Sequence, residues 1–118
     1  SVENFSPQGL ANVIWAFATV VFVDSKLQRA VARTARTKMS STPADFNPQN
    51  LANTLWAFAK LFCREEALFG EIAQLAEKQM DQFSPQNLSN SLWAFAKVKY
   101  DDLNFFRVAS EHVLRILP

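Results

Sequence analysis

One phrase of fourteen residues occurs three times in this chain, and it constrains the fold more than anything else in the sequence. Phe5-Ser6-Pro7-Gln8-Gly9-Leu10-Ala11-Asn12-Val13-Ile14-Trp15-Ala16-Phe17-Ala18 returns from Phe46 to Ala59 and again from Phe83 to Ala96. The prolines Pro7, Pro48 and Pro85 stand 41 and then 37 residues apart. That period suits two-helix repeat units and is far too long for a coiled-coil heptad. The four additional residues of the first period fall near Ser40 to Ala44, a Ser/Thr/Pro stretch that reads as a lengthened loop. The chain therefore divides into units of about 5–45, 46–82 and 83–118 within one domain covering 1–118.

Each copy opens with a helix-start signal. Ser6, Asn47 and Ser84 can accept a hydrogen bond from an orphan backbone N–H. Pro7, Pro48 and Pro85 follow at the first helical position, where a missing N–H costs nothing. Phe5, Phe46 and Phe83 occupy the position from which an apolar side chain folds back on the first turn. A second amphipathic stretch follows in each unit, over Ser25 to Met39, Glu65 to Met80 and Asp101 to Leu117. No segment alternates with period two long enough to compete as a strand. The expected fold is all-α: a right-handed superhelical α-solenoid of three two-helix repeats, six helices in all.

Composition agrees with a folded domain. Eleven Phe and three Trp among 118 residues are far more apolar surface than a disordered chain carries. The net charge of +1 supplies no global attraction to nucleic acid or to an anionic membrane, so any such attraction is local. Cys63 is the single cysteine and makes no internal disulfide. Charges interrupt every apolar run before it reaches the roughly 20 residues of a membrane span.

Gln8, Asn12, Trp15 and Thr19 follow one another at helical spacing, on one stripe at the border of the apolar arc. The same stripe carries Gln49, Asn53, Trp56 and Lys60 in the second unit and Gln86, Asn90, Trp93 and Lys97 in the third. Hairpins stacked in register would align these stripes into a surface of amides, aromatic edges and cations, chemistry that suits a single-stranded nucleic acid. A structural reading stands beside it. The Asn residues can instead satisfy the backbone of a neighbouring unit, and the Trp residues read chiefly as buried packing groups. Polar-face positions that differ between units are the better candidates for reading a ligand: Gly9, Asn50 and Asn87, and Val13, Thr54 and Ser91.

A second feature is the run from Lys26 to Lys38, with five basic residues and no acidic one. Lys26, Arg29, Arg33 and Arg36 share a helical face and form a candidate phosphate-binding patch, for which a solvated surface is the plain alternative. Catalysis finds no support. His112 and Cys63 lie in different units, no Ser–His–Asp or Cys–His spacing exists, and Gly9 and Gly70 cannot make a phosphate loop. The expectation is no enzyme, no cofactor, no metal and no small-molecule substrate.

The phrase Asn47-Pro48-Gln49-Asn50-Leu51-Ala52-Asn53-Thr54-Leu55-Trp56-Ala57-Phe58-Ala59-Lys60, with its two echoes, resembles the octotricopeptide-like helical repeats of organellar RNA-processing proteins. Similar Leu-Trp-Ala segments occur in the Fas-activated serine/threonine kinase family and in proteins ending in a RAP domain. The resemblance covers nearly all of the chain. It implies a stretch of a longer array that binds single-stranded RNA in mitochondria or plastids. It also implies a role in RNA processing, stability or translation, with other RNA-processing or ribosomal proteins as further partners. The Pro-Pro-Pro-Glu-Trp signature of typical octotricopeptide repeats is missing, and no RAP domain is present. A protein-interaction scaffold is the alternative: a ladder of Asn and Trp can equally clamp an extended peptide, Asn on its backbone and Trp on its side chains.

Overall fold

The three proline-led segments become three equal helices: α1 (Pro7–Thr19), α3 (Pro48–Lys60) and α5 (Pro85–Lys97), each of 13 residues. The chain is described by a computed structural model that covers residues 5–118. Each of these helices starts as its sequence dictates. Ser6 Oγ accepts from the Gly9 N–H at 3.0 Å, Asn47 Oδ1 from the Asn50 N–H at 2.8 Å, and Ser84 Oγ from the Asn87 N–H at 3.0 Å. Phe46 and Phe83, just outside the caps, are buried. The carbonyl of each is held from the second half of its own unit, Phe46 by Gln79 Nε2 at 2.8 Å and Phe83 by His112 Nε2 at 3.1 Å.

The second helices are α2 (Ser25–Ser41), α4 (Glu66–Lys78) and α6 (Leu103–Ile116). Asp24 and Asp102 cap α2 and α6 by accepting from the N–H groups of Leu27 and Phe105, at 3.1 and 3.0 Å. The equivalent Glu65 makes no such bond. Six α-helices and two single 3-10 turns make up the regular structure, and no strand occurs among the described residues.

The four additional residues of the first unit are not a longer loop. Helix α2 has 17 residues against 13 in α4, so the insertion forms roughly one further helical turn. The 3-10 turns that follow, Pro43–Asp45 and Met80–Gln82, then end immediately before Phe46 and Phe83 alike. The Ser/Thr-rich ending of α2 is compatible with helix because the side chains bond back: Thr37 Oγ1 donates to Arg33 O and Ser41 Oγ to Thr37 O, both at 3.1 Å.

Helix α3 packs along α1 on one side and α5 on the other, and α4 similarly contacts both α2 and α6. The odd helices thus form one row and the even helices a second, joined within each hairpin. Between the rows lies a continuous core that includes Ile14, Leu51, Leu55, Phe58, Leu68, Phe69, Ile72 and Phe95, all buried. Small residues permit this close approach. Ala52, Ala57 and Ala59 of α3 are fully buried, and a Cβ on Gly70 of α4 would stand 3.1 Å from the Tyr100 hydroxyl.

The odd helices end in a shared way that the sequence does not announce. Val21, Phe62 and Lys99, at corresponding positions, have φ of 54°, 56° and 57°. In the first unit the Val21 N–H donates to Ala18 O at 3.0 Å and the Phe22 N–H to Phe17 O at 2.8 Å, a Schellman closure made without glycine. A left-handed β-branched residue such as Val21 costs on the order of 1 kcal/mol or more.

Four buried side-chain atoms have no hydrogen-bond partner among the described residues: Gln28 Nε2, Glu71 Oε2, Gln79 Oε1 and His112 Nδ1. Gln28 in α2 is buried where the equivalent positions hold Phe69 and Phe106, and its Nε2 finds no partner among the described residues. An unpaired buried donor costs about 1–3 kcal/mol. Gln28→Met, of similar volume, is expected to raise stability by about 1 kcal/mol, read as a melting temperature about 4 °C higher in thermal unfolding followed by circular dichroism.

Candidate functional site

The odd row carries the site, because its repeated side chains come into register. Trp15 and Trp56 have ring centroids 6.5 Å apart and tilted by 30°, and Trp56 and Trp93 repeat this at 6.3 Å and 32°. Three indoles form one line across α1, α3 and α5. The expectation that they are buried packing groups holds in part for Trp56, which is half-buried and packs against the core, and is corrected for Trp15 and Trp93, which are 46% and 40% exposed. Position 15 lies at the edge of the apolar arc, and the core is closed by Ile14, Leu55 and their neighbours instead. The row still contributes to stability, since each such ring pair is worth about 0.5–1.5 kcal/mol.

On one side of the indoles lie the amides. Gln8 and Asn12 of α1 face Gln49 and Asn53 of α3 across a cleft of about 110 Å³, whose lining is completed by Ala11, Asn47 and Asn50. Gln8, Asn12 and Gln49 are exposed and Asn53 is half-buried. Among the described residues, neither Asn12 nor Asn53 hydrogen-bonds the backbone of a neighbouring unit, and both line the cleft between α1 and α3. In the third unit Gln86 is exposed and Asn90 half-buried, and Gln86 Nε2 donates to Asn90 Oδ1 at 3.1 Å. Free carboxamides offer paired donors and acceptors without charge, which matches the edges of bases or a peptide backbone.

On the other side of the indoles lie the cations. Lys60 and Lys97 end α3 and α5 in exposed positions, while Thr19, their counterpart in α1, donates to Trp15 O at 2.9 Å. The Lys97 ammonium stands over the Phe62 ring, 4.7 Å from its centroid. None of the three helices contains an aspartate or glutamate, so no carboxylate on the row itself opposes an anion.

Four expected contacts are already engaged at the starts of their own helices. Asn50 and Asn87 close capping boxes, their Oδ1 atoms accepting from the N–H groups of Asn47 at 2.9 Å and Ser84 at 3.2 Å. Thr54 and Ser91 are buried and donate to the carbonyls of Asn50 and Asn87, at 2.7 and 2.8 Å. These positions differ between units for reasons of capping and packing. Gly9 and Val13 occupy the same places in α1, where Gly9 cannot close the box.

The basic patch is separate from the ladder. Lys26, Arg29, Arg33 and Arg36 are exposed on α2, in the even row, and none lines the amide cleft. Arg36 is engaged, its Nε bonding Glu71 Oε1 at 3.1 Å.

Cys63 follows the α3 terminus. Burial pushes its thiol up to about 11, Glu65 adding to the shift and Arg29 opposing it. At pH 8 the thiolate fraction is then about a hundredfold below that of an ordinary cysteine, partly offset by the greater nucleophilicity of a more basic thiolate. Iodoacetamide should alkylate Cys63 about tenfold more slowly in the folded chain than in urea. Because the folded thiol ionises later than the unfolded one, its contribution to stability is present below the unfolded pKa. That contribution falls away as the pH rises from about 9 toward 11.

No helix among the described residues is long and apolar enough to cross a membrane. Among those residues no cluster of three or more His, Cys, Asp or Glu could hold a metal ion. In comparisons with known proteins, no family model matches the chain and no curated protein matches it significantly.

Proposed function

We propose that the odd row binds single-stranded RNA, and that the three hairpins are octotricopeptide-like units of a right-handed solenoid. The observation that carries this reading is the line of three tryptophans, 6.3–6.5 Å apart, on helices that hold no carboxylate and, in two of the three, a lysine. Bases stack on aromatic rings whatever their identity, and cations at the margin of the platform meet phosphate. Gln8, Asn12, Gln49, Asn53, Gln86 and Asn90 offer hydrogen bonds to base edges on the other margin. The chemistry is binding alone, with no bond made or broken. On the resemblance of its repeats, the module serves RNA processing, stability or translation in a mitochondrion or plastid, among other RNA-processing or ribosomal proteins.

A specific observation favours a second reading, a clamp for an extended peptide. Two residues of extended chain span about 6.6 Å, close to the indole spacing, so alternate side chains could enter successive gaps of the ladder. The acid-free row with its lysines weighs toward the anionic ligand.

Fluorescence anisotropy with a labelled single-stranded RNA, over a series of salt concentrations, tests the proposal. Replacing both Lys60 and Lys97 by Ala should weaken binding and lower the slope of log K against log salt by about 1.4, at about 0.7 per single-strand phosphate contact. An unchanged affinity and slope in that variant would remove the lysines from the site. Absence of any RNA binding by the parent chain would remove the reading itself.

A further inference from the structure

Asn47 and Asn50 each spend only half of a carboxamide on the start of α3. In the capping box Asn47 Oδ1 accepts from the Asn50 N–H at 2.8 Å, and Asn50 Oδ1 from the Asn47 N–H at 2.9 Å. A backbone N–H can be met only by an acceptor, so both amides are fixed in orientation and each Nδ2 is left over as a donor. Neither Nδ2 makes a hydrogen bond among the described residues, and both side chains line the cleft of about 110 Å³ between α1 and α3. Asn50 is only 5% exposed, so water reaches its amide poorly and an unmet donor there carries a cost.

This pair of pinned donors belongs to the second unit alone. The first unit has Ser6 and Gly9 in the two places, with no amide at either. The third has Ser84 and Asn87, which supply one pinned amide, the Asn87 Oδ1 accepting from the Ser84 N–H at 3.2 Å. No charged residue lines the cleft, and the positive end of the α3 dipole adds to its preference for an oxygen that only accepts. The amides of Gln8, Asn12, Gln49 and Asn53 around it can turn to suit either a donor or an acceptor, so the pinned pair is what discriminates.

We propose that this cleft reads one base of the bound strand, taking the keto oxygen of uracil or guanine and rejecting the amino group of cytosine or adenine. The inference rests on the RNA reading above. With phosphates on the lysine margin, a base points across the indoles and its corner farthest from the ribose enters the amide margin. In uracil and guanine that corner is a carbonyl oxygen, whose two lone pairs suit two N–H donors. In cytosine and adenine it is an NH2 group, whose hydrogens oppose those donors and leave them unmet.

Fluorescence anisotropy on the full chain, with labelled oligouridine and oligocytidine of equal length, tests it, because the two rings are alike in size and differ at the corner in question. The parent chain should bind oligouridine roughly tenfold more tightly, the factor that one unmet buried donor supplies. Asn47→Ser keeps a capping oxygen, as Ser6 and Ser84 show, and removes one donor. Asn50→Asp keeps the oxygen of the box and turns the other donor into an acceptor. Both variants should retain the helical circular dichroism while the uridine-to-cytidine ratio falls toward one, and in Asn50→Asp below it. The ratio cancels the general repulsion of the new carboxylate. Equal affinities of the parent for the two oligomers, or a preference that survives in both variants, would overturn the inference and leave the RNA reading standing. Equal affinities that fall together in both variants would put a phosphate oxygen in the cleft and overturn the base assignment. A parent chain that binds neither oligomer would remove both the reading and the inference.

Discussion

Phe95→Ala is expected to lower the unfolding free energy by about 3–5 kcal/mol, the cost of removing a buried aromatic ring and leaving a cavity. Phe95 is fully buried, and its ring meets Phe105 at 4.6 Å, Tyr100 at 5.6 Å, Phe69 at 5.7 Å and Phe106 at 6.3 Å. Those neighbours come from α4, α6 and the loop between α5 and α6, so one side chain ties the third unit to the second. A loss of that size is a large part of the roughly 5–15 kcal/mol that holds a domain together. Urea denaturation should show the midpoint falling sharply. Trp15→Ala, which truncates a larger but half-exposed ring, should cost far less, no more than about 1–2 kcal/mol, since it forfeits one ring pair and limited burial. The reverse order of these two effects would place the core in the wrong row of side chains.

The second large effect is on binding. Trp56→Ala removes the central indole, which has a ring neighbour on each side. Base–aromatic stacking is worth about 1–3 kcal/mol per base, so affinity for single-stranded RNA should fall roughly 5- to 150-fold. The salt slope should remain unchanged, because no phosphate contact is lost. This separates the tryptophan from Lys60 and Lys97, whose replacement changes the slope. A peptide clamp would respond differently, losing affinity for an extended peptide and showing no salt slope of this kind. Thermal unfolding of the same variant, measured alongside, distinguishes loss of a platform from loss of the fold.

Much of this architecture is legible in the sequence because the strongest signals are local. Ser6, Asn47 and Ser84 cap where capping residues before proline should, and the equal helices follow from closely similar phrases. What remained hidden depends on neighbours. A helical wheel places Trp15 at the border of the apolar arc, and only the placement of the second row decides that the border lies outside. Thr54 and Ser91 look like polar-face residues on a single helix, yet they are buried and satisfy their hydroxyls within their own helix. Asn50 and Asn87 could have been read as the third residue of a capping box, a signal usually sought in Glu or Gln. The left-handed closures at Val21, Phe62 and Lys99 have no glycine to mark them.

The extra turn at the end of α2 says how such a protein can vary in length. Four residues advance a helix by about 400°, returning it to within about 40° of its original facing, whereas one residue swings it by about 100°. Insertions in the even helices are thus tolerated in quanta of a turn. They alter the back of the molecule while Pro48 and Pro85 still begin their helices in step. The reading frame of the front is insulated from changes of bulk behind it.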